Sequence, residues 1–216
     1  MANALDVKGF SLTYPGAARP VFEGLDLTVV EGETVALRGE SGAGKSSLLL
    51  CACGLIPGSI PAETSGGLLL FGRPPAAYSR AELCRGGGMV FQNPATQLFC
   101  GTAELELAFG LENLRVPREE MRGRVREALE AVGLWQRRGE APSRLSGGQK
   151  QLLALAAVLA LKPRLLLLDE ALSQLDAPTA ARMMELLLPL KAAGQSMLFV
   201  DHNETRCQFA DRIVEL

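Results

Sequence analysis

The sequence predicts an α/β fold built on a mostly parallel sheet covered by helices. Three observations carry this. Short apolar runs at 34–38, 165–168 and 197–200 read as strands buried on both faces. Segments at helical spacing, 45–53, 149–161 and 178–193, stand between such runs. The two kinds alternate along the chain, which favours parallel strands joined by helical crossovers.

From the N-terminus, 7–13 and 25–30 read as strands flanking a turn-rich stretch at Pro15-Gly16. Strand 34–38 runs straight into a glycine loop, 39–44, and then a helix. Residues 68–71 and 89–91 are further short strands. The character changes after Pro94: 102–135 is rich in Leu, Glu, Ala and Arg at helical spacing and predicts a helical subdomain. Residues 144–148 interrupt the pattern. The helix over 178–193 stops at Gly194, and 213–216 is a last strand. No internal repeat or low-complexity linker is present.

The 216 residues are 48% hydrophobic and 21% charged, with a net charge of -2. That composition suits a globular chain with a substantial core. Its bulk electrostatics give no reason to expect nucleic acid or an anionic lipid surface as the main partner. The longest apolar run, 152–161, is stopped by Lys162-Pro163-Arg164, well short of the roughly 20 residues a membrane span needs. Residues 1–8 lack a signal-peptide core, so a cytosolic location is expected. The five cysteines are odd in number and fit no zinc spacing, which predicts free thiols in a reducing compartment.

Gly39-Glu40-Ser41-Gly42-Ala43-Gly44-Lys45-Ser46, followed by Ser47, fits the phosphate-loop pattern G-x-x-x-x-G-K-[ST] at every fixed position. Glycines let successive N–H groups turn toward a phosphate, and the helix that starts at Lys45 adds its positive end. Lys45 can reach β- and γ-phosphates, and the Ser46 hydroxyl can take a Mg²⁺ position. Asp169 and Glu170 follow an apolar strand, at the sheet edge where ligands bind in open α/β folds. Asp169 is the candidate Mg²⁺ ligand and Glu170 the candidate general base. His202, the single histidine, ends another strand and can orient the attacking water or donate to the γ-phosphate.

Leu145-Ser146-Gly147-Gly148-Gln149, then Lys150-Gln151, resembles the signature motif of ABC transporter ATPases. With the loop, the acids and His202, the chain resembles that family over nearly its whole length. The resemblance implies a P-loop NTPase of the ABC type, with an N-terminal antiparallel β-subdomain and an inserted helical subdomain. One domain would span 1–216, with 1–94 and 144–216 as core and 95–143 as the helical part that docks on a membrane partner. It implies ATP and Mg²⁺ as ligands. It also implies a head-to-tail dimer, homomeric or heteromeric, in which Ser146, Gly147, Gly148 and Gln149 close over ATP held by the partner's loop. Tyr14 matches the adenine-stacking aromatic, Gln92 the glutamine that touches Mg²⁺ or water, and Asp176 the D-loop aspartate.

Residues 91–99 and 108–113 look further like the ATPases of energy-coupling factor transporters, the prokaryotic vitamin and Co/Ni importers. There Gln97 belongs to a loop region that faces the membrane coupling subunit. That likeness implies a coupling subunit and a substrate-capture subunit as partners, with the chain peripheral on the cytoplasmic face. A non-transport or regulatory ABC-type protein is the alternative, and the intact Lys45, Asp169, Glu170 and His202 argue against a regulatory one. Four positions depart from the family: Ala171 and Leu172 replace Pro and a small polar residue, Gln174 a small residue, and Asp201 a Thr. The chain also stops where relatives continue, so a minimal version or part of a longer protein is expected.

Overall fold

Residues 2–216 are described by a computed structural model. In chain order the strands are β1 (Asn3–Thr13), β2 (Phe22–Val30), β3 (Thr34–Arg38), β4 (Glu63–Leu70), β5 (Gly87–Val90), β6 (Leu165–Asp169), β7 (Ser196–Val200) and β8 (Arg212–Glu215). The helices are α1 (Lys45–Ala52), α2 (Arg80–Gly86), α3 (Ala103–Asn113), α4 (Arg118–Ala131), α5 (Gly147–Ala160), α6 (Ala177–Ala192) and α7 (Glu204–Cys207). An antiparallel sheet runs β2-β1-β4, and a parallel sheet runs β5-β6-β7-β3-β8.

The parallel sheet divides the core in two because side chains alternate along each strand. Leu166, Leu168, Met197, Phe199 and Ala36 face a core shared with α3, α4, α5 and α6. Leu165, Leu167, Leu198, Val200, Val35 and Leu37 face the other core, shared with α1 and the antiparallel sheet. Both sets are buried, which is why these strands read as unbroken apolar runs. Each buried leucine contributes on the order of 2 kcal/mol. The strand order brings the C-terminal ends of β6, β7 and β3 side by side, so the residues that follow them converge.

Several boundaries differ from the sequence reading. β1 begins at Asn3, not 7, and β2 at Phe22, not 25. β4 covers Glu63–Leu70, where only 68–71 was expected. Its polar first half is held by backbone pairing to β1, and Gly66 lies so close to the Gly9 carbonyl that no side chain fits. Phe71 ends it with a φ of 46°. β5 lies at Gly87–Val90 in place of 89–91, on glycines that give no periodic signal. The expected helical stretch 102–135 resolves into α3 and α4, divided at Arg115 (φ 55°) and Pro117. α5 begins at Gly147, two residues before the expected 149. The last strand is Arg212–Glu215, one residue earlier than expected, and α2 and α7 had no counterpart in the reading.

Candidate active site

The loop between β3 and α1 wraps the Lys45 side chain. Its ammonium is buried and donates to the carbonyls of Gly39 (2.9 Å) and Glu40 (2.7 Å). Neither carbonyl carries a net charge, so the full positive charge remains available to an anion. Gly44 has a φ of 89°, and a Cβ there would sit 2.7 Å from the Phe22 ring. Glycine is therefore required by backbone and space together. No acidic residue of α1 itself occupies its first turn, so its positive end is left to groups from outside the helix.

Ser46, on that first turn, donates to Asp169 Oδ1 at 2.8 Å. Burial pushes the Asp169 carboxyl above its ordinary range. The Ser46 hydroxyl opposes this, Glu170 adds to it, and Lys45 opposes it more weakly. A hydroxyl and a buried carboxylate this close form an oxygen donor pair suited to a hard dication, so the residues present fit Mg²⁺.

Glu170 takes a left-handed backbone, φ 46°, a conformation that non-glycine residues seldom hold. Its two carboxylate oxygens are separately engaged. Gln92 Nε2 donates to Oε2 at 2.8 Å, and His202 Nε2 lies 3.2 Å from Oε1. Gln92 follows β5, Glu170 follows β6 and His202 follows β7, so three strand ends build one acidic centre. A cleft of about 540 Å³ joins it to the loop, lined by Tyr14, Val21, Ser41, Gly42, Gly44, Lys45, Ser46, Ser47, Gln92, Glu170 and His202. The Tyr14 hydroxyl lies 2.9 Å from Ser47 Oγ, which holds the ring at the cleft wall.

Ser146, Gly147, Gly148 and Gln149 lie outside this cleft. Ser146 caps α5: its Oγ accepts from Gln149 N (3.2 Å), and Gln149 Oε1 accepts from Ser146 N (3.0 Å). This reciprocal capping box leaves other first-turn N–H groups free of intrahelical partners. Arg137 Nη1 also donates to Gln149 Oε1, at 2.7 Å, and ties the helical subdomain to the cap.

Other positions singled out in the sequence make local contacts in this geometry. Asp176 caps α6, accepting from Thr179 N at 2.8 Å. Gln97 folds back on β5, its amide bonded to Met89 O (3.1 Å) and Phe91 N (3.2 Å). Ala171 and Leu172 are buried in the helical core, which accounts for their apolar character. Two buried polar side chains were not singled out from the sequence. Gln151 donates to Phe91 O at 3.0 Å and steadies the base of the Gln92 loop. Glu106 accepts from Phe99 N (3.0 Å) and Cys100 N (2.7 Å). A capped helix with an acid in its first turn was the available signal for Glu106.

Comparison with known proteins agrees with this geometry. The ABC transporter family model matches residues 22–173. The chain is 37% identical over 215 residues to the energy-coupling factor transporter ATP-binding protein EcfA1 of Ligilactobacillus salivarius, covering 99% of this chain and 74% of that protein. It superposes on cbiO1 of Clostridium perfringens, described as part of the ABC transporter complex cbiONQ. There the TM-score is 0.83 at 29% identity, over 100% of this chain and 85% of that one. It also superposes on the ATP-binding cassette MJ0796, solved as a dimer in a post-hydrolysis state bound to ADP and Pi. That match has a TM-score of 0.84 at 28% identity, over 98% and 94% of the two chains. The chain belongs to the ABC transporter family, as an ATP-binding ATPase subunit similar to the ATP-binding protein of an energy-coupling factor transporter.

Proposed function

We propose that the chain drives an energy-coupling factor importer of a vitamin or a transition-metal ion by hydrolysing Mg-ATP. The observation that carries the reading is Glu170, a carboxylate held from both sides by Gln92 and His202 at the mouth of the Lys45 loop. In this reading Lys45 and the loop N–H groups hold the β- and γ-phosphates, and Tyr14 stacks on adenine. Ser46, Asp169 and Gln92 would hold Mg²⁺, which when bound supplies charge neutralisation on the phosphate oxygens. Glu170 accepts the proton of the attacking water. His202 and Gln92 fix the two carboxylate oxygens, so the accepting lone pair keeps one direction.

A second ABC ATPase subunit completes the site, in a homo- or heterodimer packed head-to-tail. The position of Ser146–Gly148 outside the chain's own cleft supports this. So does the dimeric, ADP-bound state of the similar MJ0796 cassette. The likeness to EcfA1 and to cbiO1 supports a coupling subunit and a substrate-capture subunit as membrane partners, and with them a peripheral position on the cytoplasmic face. Among the described residues no helix is long and apolar enough to cross a membrane. Phe99 and Phe109 offer a contact surface: both are exposed, and their rings meet edge-on with centroids 4.9 Å apart.

Co-purification from native membranes tests the transport setting. The full chain is expected to emerge with a hydrophobic coupling subunit. Phe99→Asp with Phe109→Asp should release that subunit while ATP binding persists. Recovery of the wild-type chain entirely from the membrane-free fraction, with no hydrophobic partner, contradicts the proposal.

A further inference from the structure

The β6–β7 ladder ends at the Asp169–Val200 pair, and Glu170 N to Val200 O (3.2 Å) is the last backbone bond between the two segments. Glu170 and His202 therefore stand on separate loops beyond the sheet. One side chain bridges those loops from behind. Arg206, on α7, sets its Nε 3.3 Å from Asp201 Oδ2, while its Nη1 donates to the Leu172 carbonyl. Asp201 is 1% exposed, and its other oxygen accepts from Asn203 N at 2.8 Å. Leu172 is likewise buried. The arrangement closes a ring: Glu170 leads through Ala171 to Leu172, across the guanidinium to Asp201, on to His202, and back to Glu170 across 3.2 Å.

We propose that Arg206, with Asp201 as its anchor, is a positioning residue for ATP hydrolysis that sets how Glu170 and His202 face one another. The inference rests on the reading of Glu170 as the base. Neither Arg206 nor Asp201 lines the cleft. Pairing with the Asp201 charge needs only a cation nearby, and Arg206 Nε meets Asp201 Oδ2 as an ion pair. The hydrogen bond, from Nη1 to the Leu172 carbonyl, reaches the other loop and makes the group a spacer between them. Only a forked guanidinium presents separate nitrogens to both at once. The buried Ala171-Leu172 pair and the buried Asp201 are thus parts of one construction.

Removing Arg206 alone strands a buried carboxylate, so the decisive variant is the double Asp201→Asn with Arg206→Met, which removes both charges. Its melting temperature and ATP affinity are expected to stay near wild type. The kcat for ATP is expected to fall by about tenfold or more with KM little changed, the signature of a misplaced reacting group. Arg206→Lys keeps the charge but not the fork and should fall between. A folded double variant with wild-type kcat overturns the proposal, as does an effect confined to a rise in KM. Failure of the underlying reading shows separately: in that case Glu170→Gln alone turns over ATP at the wild-type rate.

Discussion

Lys45 is nearly buried yet bonded only to two neutral carbonyls. Such a charge is costly to keep unless an anion completes it, so the loop is built for phosphate. Lys45→Ala is expected to abolish tight Mg-ATP binding in calorimetry, and unchanged affinity would remove the loop from the account. His202 has the opposite profile. Half exposed and aimed at Glu170, it should be dispensable for binding. His202→Ala is expected to retain ATP affinity and lose most turnover in a steady-state phosphate-release assay. Full turnover in that variant would reduce the histidine to a bystander. Lys45, Ser46, Asp169, Glu170 and His202 were legible in the sequence because each occupies a fixed place in a local motif or ends an apolar strand. Arg206 and Gln151 were not. Their partners lie 34 and 60 positions away, and no local pattern records an approach made only by the folded chain.

At the scale of elements, the long apolar strands were legible because burial on both faces leaves an unbroken run. The polar half of β4 and the short α2 and α7 were missed, since backbone pairing and capping hold them with little apolar pattern. For α2 the signal was present: Ser79 and Glu82 form a capping box. The edge strand β8 depends on side-chain ties. Arg212 bonds both oxygens of Glu33 (2.8 and 3.3 Å) and the Thr28 carbonyl. Burial pushes the Glu33 carboxyl up, but Arg212 and the Val30 N–H outweigh it and hold it below its ordinary range. A carboxyl depressed in the folded state contributes stability above its unfolded value, and that stability is lost as pH falls through the folded one. Arg212→Leu is therefore expected to lower stability by about 1 kcal/mol at neutral pH, a figure reduced for partial exposure. It should also flatten the loss of melting temperature between about pH 5 and pH 3. An acid limb as steep as wild type would show that the pair contributes nothing.

For the molecule as a whole, the strand order β5-β6-β7-β3-β8 does the assembling. The chain runs out to β5 and returns through β6 and β7 to β3's side, so residues 45, 92, 170 and 202 meet at one edge. The fold class followed from alternation of strands and helices, but the adjacency of these four followed only from the sheet. The central claim is that this edge hydrolyses ATP through Glu170. ATP turnover and ATP affinity, measured side by side for the full chain and for Glu170→Gln, test it most directly. Affinities are expected to lie within a few-fold of each other, with turnover in Glu170→Gln reduced about a hundredfold or more. Equal turnover in the two proteins would contradict it.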